Sequence, residues 1–446
     1  MLVTSLIGYA FALDIRVQGW QVWVWAICVC VTVVMLMPTH RPALRLDTTS
    51  RWLVVLALIA LLLRVTALET VPGLLHVDEL GLGNFARQSV LAGPDGLTHN
   101  PFITGPASQP ALYHYLIRLS LALVGDSITG LRITSALAGA LAVMATYAAI
   151  AVLHNRRTAL IAAVIMTTYH FHIHWSRLGL NNIWDTVWVP MVLATFVWGW
   201  RHRWSGGAVL AGLALGLSQY FYAGSKIGLI LLAVIIAWRW WKDTDRGRLA
   251  IYAGKSLITA ACVAAPLVMF MLRDPANYFQ RAEEVFGWQS ESIRQITGDP
   301  NDVGTFFWHQ VTRSLGAFTT FPDTTGFYGP GVPLVIGLGS LLFVIGVLLA
   351  ILQRRFIPIV WILLTALLGG FLLASVPGSS HYVVSIPAIC WLIAIPLNGL
   401  AETDRQGALA LVVAALLIVM LTDLYFYFGV YVPNHSSDLQ YPFLLH

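Results

Sequence analysis

The run from Trp52 to Leu68, WLVVLALIALLLRVTAL, is followed after a short turn by Gly73-Leu74-Leu75-His76-Val77-Asp78-Glu79-Leu80-Gly81. The first stretch has the length a helix needs to cross the hydrocarbon of a bilayer, about 17–25 apolar residues. The second sets two adjacent carboxylates just beyond the end of that span. Outward from this pair, apolar runs recur at 20–37, 128–153, 159–174, 186–200, 206–222, 226–241, 249–272, 331–352, 357–374, 381–397 and 408–428. The run 111–124 is shorter and reads as interfacial or re-entrant. Met1 to Leu13 is apolar but lacks a basic leader and a cleavage site, so it reads as a membrane segment rather than a signal peptide.

Composition agrees. Of 446 residues, 58% are hydrophobic and 11% charged, against about 25% charged in an average soluble domain. A soluble core of this size has no room for so much apolar surface. That excludes a soluble enzyme, a disordered chain and a nucleic-acid-binding module. The net charge of +5 reflects basic residues gathered in cytoplasmic linkers. Cys28, Cys30, Cys262 and Cys390 lie inside apolar runs, with no metal or disulfide spacing, and read as small buried hydrophobes.

The basic residues set the orientation. Arg41, Arg45 and Arg51 share one linker, and Arg156 and Arg157 another. Arg201 with Arg203, then Arg239, Lys242, Arg246 and Arg248, then Arg354 with Arg355, and finally Arg405 continue the series. These linkers alternate with ones poor in Lys and Arg, provided that 111–124 does not cross. The positive-inside rule then places 69–127, 175–185, 222–226, 273–330, 375–380 and 429–446 on the extracytoplasmic side. Gly212 and Gly216 form a small-residue pair suited to close helix packing.

Ionisable residues at membrane level are costly and point to function. Asp78 and Glu79 open an amphipathic segment with Leu82, Phe85, Ala86 and Val90 on one face. Asp78 reads either as the cap of that helix or as a reactive carboxylate. On the same side, His170-Phe171-His172-Ile173-His174-Trp175-Ser176-Arg177 runs on to Asn181, Asn182 and Asp185. His170 and His174 share a helix face, as metal ligands do, or pack among aromatics. Asp185 again reads as a helix cap or an acidic site. Tyr220, Tyr222 and Lys226 occupy another turn, where Lys226 either snorkels or binds a phosphate. His381-Tyr382 follows Pro377-Gly378-Ser379-Ser380, and 273–330 is long enough for a lid or acceptor-binding cap. Asn434-His435-Ser436 matches a glycosylation acceptor.

In this order the features resemble those of the GT-C membrane glycosyltransferases, in particular the protein O-mannosyltransferase-like group that includes the lipid A aminoarabinose transferase. The shared layout is Asp78-Glu79 after a span, an amphipathic helix, the segment Gln109-Pro110-Ala111-Leu112-Tyr113-His114-Tyr115, the turn His154-Asn155-Arg156-Arg157 and a second loop with Asp185. It covers about residues 52–240, with a looser match at His381-Tyr382. Where some relatives carry a phosphate-contacting lysine, this chain has Gln109.

The resemblance implies an all-α polytopic fold, a GT-C-like bundle of about 11–13 transmembrane helices with interfacial helices in the first loop. It divides the chain into accessory segments 1–51, a catalytic core 52–272 with first loop 69–127, a loop 273–330, and C-terminal helices and tail 331–446. The implied reaction moves a monosaccharide from a polyprenyl-phosphate-linked donor to an acceptor hydroxyl on a protein, lipid or polysaccharide, by inverting displacement. The site is at the outer face of the plasma membrane, and the rival class is a flippase of the same lipid-linked sugar. Asp78 is then the base, Glu79 a supporting carboxylate, and Asp185 a group that positions the acceptor or assists the base. Lys226, Arg177 and Tyr222 are the candidates for the donor phosphate. Gln109, Tyr113, Asn182, His381 and Tyr382 complete the expected substrate contacts. A divalent metal is the one cofactor left open, with His170 and His174 as its ligands.

Overall fold

The computed structural model describes residues 16–40, 42, 48–73, 75–88, 90, 97–105, 109–323, 325–403 and 406–435. Met1–Leu13, Arg41, Arg45, Leu74, Arg405 and Ser436 of the glycosylation triplet lie outside the described residues. Within them the chain is helical, apart from an antiparallel pairing of Arg16–Gln18 (β1) with Leu97–His99 (β2) and two isolated bridges.

The helices are Gly19–Leu36 (α1), Thr48–Val65 (α2), Val77–Gln88 (α3), Leu112–Val124 (α4), Ile128–Leu153 (α5), Arg156–Thr168 (α6) and His170–Ser176 (α7). Asp185–Arg201 (α8), Gly206–Ser218 (α9), Ile227–Lys242 (α10) and Arg246–Arg273 (α11) follow. Pro275–Val285 (α12), Ser290–Thr297 (α13) and Val303–Gly316 (α14) fill the long loop. Gly337–Leu352 (α15), Phe356–Ala366 (α16), Ser379–Tyr382 (α17), Ile386–Ala401 (α18) and Ala408–Leu424 (α19) complete the bundle.

Polar side chains start several of these helices. Ser127 caps α5 at Gly130 N, 3.0 Å away, and Asn155 caps α6 at Thr158 N, 2.8 Å away. Asp245, Asp274 and Asp302 do the same for α11, α12 and α14. Each supplies an acceptor for a first-turn N–H that has no partner within its own helix.

Six helical stretches among the described residues are long and apolar enough to cross a membrane: Gly19–Leu36, Ile128–Leu153, Ala223–Lys242, Arg246–Arg273, Ser379–Ala401 and Ala408–Asn434. Their outward faces, and that of α2, expose large apolar side chains such as Trp23, Leu58, Leu62 and Leu421. A soluble monomer rarely shows such continuous apolar surface; hydrocarbon covers it here. The protein is an integral membrane protein. Helix α4 has 13 residues, about 20 Å at 1.5 Å per residue, which is too short for a hydrocarbon layer of about 30 Å.

Three sequence expectations change. The run 159–174 is not one helix, because the chain breaks at Tyr169 between α6 and α7. The break frees the backbone N–H of His170, which donates to Asp423 Oδ1 at 3.3 Å. The run 331–352 is helical only from Gly337. Cys30 is exposed on α1 rather than buried, while Cys262 and Cys390 are buried as expected. The Gly212–Gly216 reading holds: a Cβ at either position would strike α11 at Ser256, Thr259, Ala260 or Val263, so α9 and α11 meet backbone to backbone.

Candidate functional site

The turn between α2 and α3 is clamped by two arginines from far along the chain. Arg177 is buried, and its guanidinium donates to the carbonyls of Leu63 (2.7 Å), Thr66 (2.6 Å), Ala67 (3.1 Å) and Val71 (3.1 Å). These are carbonyls at and beyond the end of α2, where helical partners run out. Arg132 on α5 donates to the Leu68 and Pro72 carbonyls at 3.3 and 3.0 Å. It also forms a fork with Glu79, Nε to Oε1 at 2.9 Å and Nη2 to Oε2 at 3.1 Å.

Glu79 is fully buried and has two further donors, Gly179 N at 2.6 Å and His76 N at 3.1 Å. Helix α3 begins at Val77, so His76 is its cap and Glu79 its third residue. A third-position glutamate reaching back to the cap N–H is half of a capping box. The capping role therefore falls to Glu79, not to Asp78. Asp78 donates its backbone N–H to His76 Nδ1 at 3.1 Å. Its carboxylate meets no hydrogen-bond donor among the described residues and lines a cavity.

That cavity, about 840 Å³, is walled by segments from widely separated parts of the chain. Asp78 and Gly81 come from α3, Gln109 from the first loop, and Asn181 and Asn182 from the turn before α8. Tyr222, Gly224 and Lys226 come from the turn before α10, Tyr278, Arg281 and Glu284 from α12, and Ser380 and His381 from α17. Side-chain bonds tie these turns together. Asn181 Nδ2 donates to Gln109 Oε1 at 2.5 Å and to the Phe221 carbonyl at 2.9 Å. Asn182 Nδ2 donates to the Ser380 carbonyl at 3.2 Å, and the Tyr222 hydroxyl lies 3.0 Å from His381 Nδ1.

The long loop supplies the roof. Val285 and Gly287 exchange backbone bonds with Ala374 and Leu372 at 3.0 and 2.9 Å, and Trp288 Nε1 donates to the Phe371 carbonyl at 2.8 Å. Those contacts seat α12 over the cavity with Tyr278 and Arg281 facing it. Lys226 is exposed into the cavity, its Nζ 6.0 Å from the Tyr278 ring centre. Arg281 pairs with Glu284 at 3.3 Å. The cavity thus holds one unpartnered carboxylate, Asp78, together with two cations, Lys226 and Arg281. At its edge Asp323 accepts from Thr325 N and Ser379 N at 2.9 and 3.1 Å, anchoring the turn that carries His381. Burial pushes the Asp323 carboxyl above the usual range.

Of the residues singled out from sequence, Asp78, Gln109, Asn182, Tyr222, Lys226 and His381 come together here. The other residues expected to act in catalysis or substrate binding do not line the cavity. Arg177 has its donors on carbonyls and is unavailable to a phosphate. Glu79 is the ion-pair partner of Arg132. Tyr113 is buried against Phe221, ring centres 5.9 Å apart, and Tyr382 donates to the Ser314 carbonyl at 2.9 Å. Asp185 is buried at the start of α8, behind Gly224, whose added Cβ would strike its carboxylate. Neither Asp185 oxygen has a hydrogen-bond partner among the described residues, so it is no cap through its side chain.

The histidine pair also separates. His170 Nδ1 lies 2.7 Å from the Tyr328 hydroxyl, while His174 Nε2 lies 2.8 Å from the Phe327 carbonyl and its ring stacks on Tyr328. Among the described residues no group of three or more His, Cys, Asp or Glu is placed to hold a metal ion. Sequence reasoning gave no site role to Arg281, and set Asn181 beside Asn182 without giving it one. Arg281 is one of four arginines in the long loop, and only the seating of α12 separates it from Arg273, Arg294 and Arg313.

A family model described as dolichyl-phosphate-mannose-protein mannosyltransferase matches residues 108–272. An undecaprenyl phosphate-alpha-4-amino-4-deoxy-L-arabinose arabinosyl transferase 1 of Pseudomonas fluorescens is 26% identical over 274 residues, covering 60% of this chain and 48% of that one. A Pseudomonas aeruginosa transferase of the same description is 24% identical over 226 residues, covering 50% and 40%. The chain spans about half the length of the curated relatives it matches. Among solved structures, the Archaeoglobus fulgidus oligosaccharyltransferase superposes with a TM-score of 0.52 at 16% identity, covering 86% of this chain and 53% of that one. ArnT from Cupriavidus metallidurans bound to undecaprenyl phosphate gives 0.50 at 14% identity, covering 87% and 74%.

The fold is of the GT-C type. The region related in sequence, 108–272, contains Gln109, Asn181, Asn182 and Lys226 of the cavity wall.

Proposed function

We propose that this chain is a membrane glycosyltransferase that moves a monosaccharide, a hexose or pentose, from a polyprenyl-phosphate-linked donor to an acceptor hydroxyl. One observation carries the reading: a single cavity holds an unpartnered carboxylate, Asp78, together with Lys226 and Arg281. The lipid-phosphate donors in the descriptions of the similar transferases agree with it.

Asp78 takes the proton of the acceptor hydroxyl as its oxygen attacks the anomeric carbon. The bond from that carbon to the donor phosphate oxygen breaks, and its electron pair leaves with the polyprenyl phosphate. Lys226 and Arg281 stabilise the charge that grows on that phosphate. The sugar passes through an oxocarbenium-like state and its configuration inverts, as in other single displacements at this carbon. Tyr222, His381, Gln109 and Asn182 bound the space for the sugar and the acceptor. Asp185, buried behind Gly224, backs the turn that carries Lys226.

The basic linkers lie at the opposite end, so the cavity opens on the extracytoplasmic side. In a cysteine-free background, Gln295→Cys should react with an impermeant thiol reagent in intact cells and Thr244→Cys should not. The reverse labelling pattern overturns the orientation. Purified protein given undecaprenyl-phosphate sugar and a cell-envelope extract should release undecaprenyl phosphate. Intact lipid-linked sugar moved across a vesicle membrane without that release would make the chain a flippase instead.

A further inference from the structure

A second cleft, of about 200 Å³, opens at the other end of the bundle, where α5, α8 and α10 finish and α16 begins. Its rim carries Arg201, Arg239, Arg354 and Arg355, which come from three separate linkers. Arg239 is paired with Asp243 at 3.2 Å. The guanidinium groups of Arg201, Arg354 and Arg355 are exposed and meet neither a carboxylate nor a hydrogen-bond acceptor among the described residues. Like charges gathered around one opening repel unless an anion sits between them.

The floor of the same cleft is apolar, with Val197, Val234, Ile235 and Ile357. Trp238 and Phe356 stand at its mouth, ring centres 6.2 Å apart in an edge-to-face pair, and are 48% and 43% exposed. Exposed aromatics of this kind mark the headgroup level of a bilayer. A rim of arginine over an apolar floor matches an amphiphile better than a free ion. The positive-inside rule explains why arginines occur at this end. It does not explain why three unpaired ones converge on one apolar cleft while others, such as Arg248 stacked on Trp200 at 3.9 Å, are held elsewhere.

We infer that this cleft binds the phosphate headgroup of an anionic membrane lipid, with Arg201, Arg354 and Arg355 on the phosphate and the hydrocarbon on the Val197–Ile357 floor. Guanidinium groups bind phosphate through charge-assisted, often forked hydrogen bonds, and basic pockets between membrane helices suit lipid headgroups. The site is separate from the donor cavity and stands whether or not the proposed transfer is correct.

The test is native mass spectrometry of the full chain, extracted in neutral detergent and titrated with phosphatidylglycerol, undecaprenyl phosphate or inorganic phosphate. The background is Lys226→Met, so that the donor cavity contributes less. One phosphatidylglycerol should be retained per chain. Arg354→Gln with Arg355→Gln should weaken that retention about tenfold or more, as expected for losing even one charged hydrogen bond, and Arg201→Gln alone should act in the same direction. Arg51→Gln with Arg203→Gln removes as much charge from the same end, away from the cleft, and should leave retention unchanged. Equal losses in the two double variants would reduce the effect to diffuse attraction and overturn the site. Retention of inorganic phosphate as strong as that of lipid would overturn the lipid assignment. Displacement of phosphatidylglycerol by undecaprenyl phosphate would support the shared headgroup chemistry and name the polyprenyl lipid as the preferred source.

Discussion

Arginine is used in opposite ways at the two ends of this bundle. Around the large cavity, Arg64, Arg132 and Arg177 are buried, and their donors are occupied by carbonyls, Glu79, His172 and Ser176. At the far end Arg201, Arg354 and Arg355 are exposed and unpaired among the described residues. The first set holds backbone in place; the second creates a field. Charge near a site is thus not the same as charge available to a ligand. At the cavity end the cations that face the open space are Lys226 and Arg281, while Arg132 and Arg177 hold the turn before the helix that carries Asp78.

The sharpest way to break this contrast is Asp78→Asn. The amide cannot accept a proton, so transfer should fall by about 10²–10⁴-fold while the melting temperature stays near that of the parent. Turnover at the parental rate would remove Asp78 from the chemistry. Its neighbour should behave in the opposite sense. Arg132→Met leaves Glu79 charged and buried without its partner, a change that costs about 3–5 kcal/mol. It should appear as a large drop in melting temperature and in folded yield. A stable Arg132→Met protein would show that the clamp is dispensable.

Lys226→Met tests the open cations. Losing a charge-assisted contact should weaken donor binding by about 1.5–3 kcal/mol, read as a raised Kd for the lipid donor with the fold unchanged. Unchanged affinity would leave Arg281 as the sole phosphate contact. Gly224→Ala sets a Cβ against the Asp185 carboxylate and should cost about 1–3 kcal/mol by overpacking, with a smaller loss of activity than Lys226→Met. The smallest effect belongs to Arg51→Gln, an exposed change away from both cavities, within about 0.5 kcal/mol.

The membrane spans were legible because length and apolarity are local properties of a sequence. The cavity positions of Asp78 and Lys226 were legible for a related reason: each is an ionisable group beside an apolar run. The roles of Glu79, Arg177 and Asp185 were not, because they depend on groups far away in the chain. Glu79 meets Arg132 and Gly179, and Arg177 meets Leu63 to Val71, over separations that no spacing rule reaches. Tyr113 and Tyr382 failed for the same reason: an aromatic next to a motif looks identical whether it turns into the cavity or into the core. Arg281 needed the seating of α12 on residues 371–374, which the loop composition does not encode locally.

The clamp on the turn before α3 also bears on the order in which the molecule is made. Synthesis runs from the N-terminus, so the segment carrying Asp78 enters the membrane well before Arg132, Arg177 and Gly179 exist. Until those residues arrive, the carbonyls beyond α2 and the Glu79 carboxylate have none of the partners that hold them in the finished structure. The carboxylate pair is translated before the residues that place it. Ribosome-bound chains in which Arg177 is still inside the exit tunnel should therefore expose this turn to protease, and chains long enough for Gly179 to have emerged should protect it.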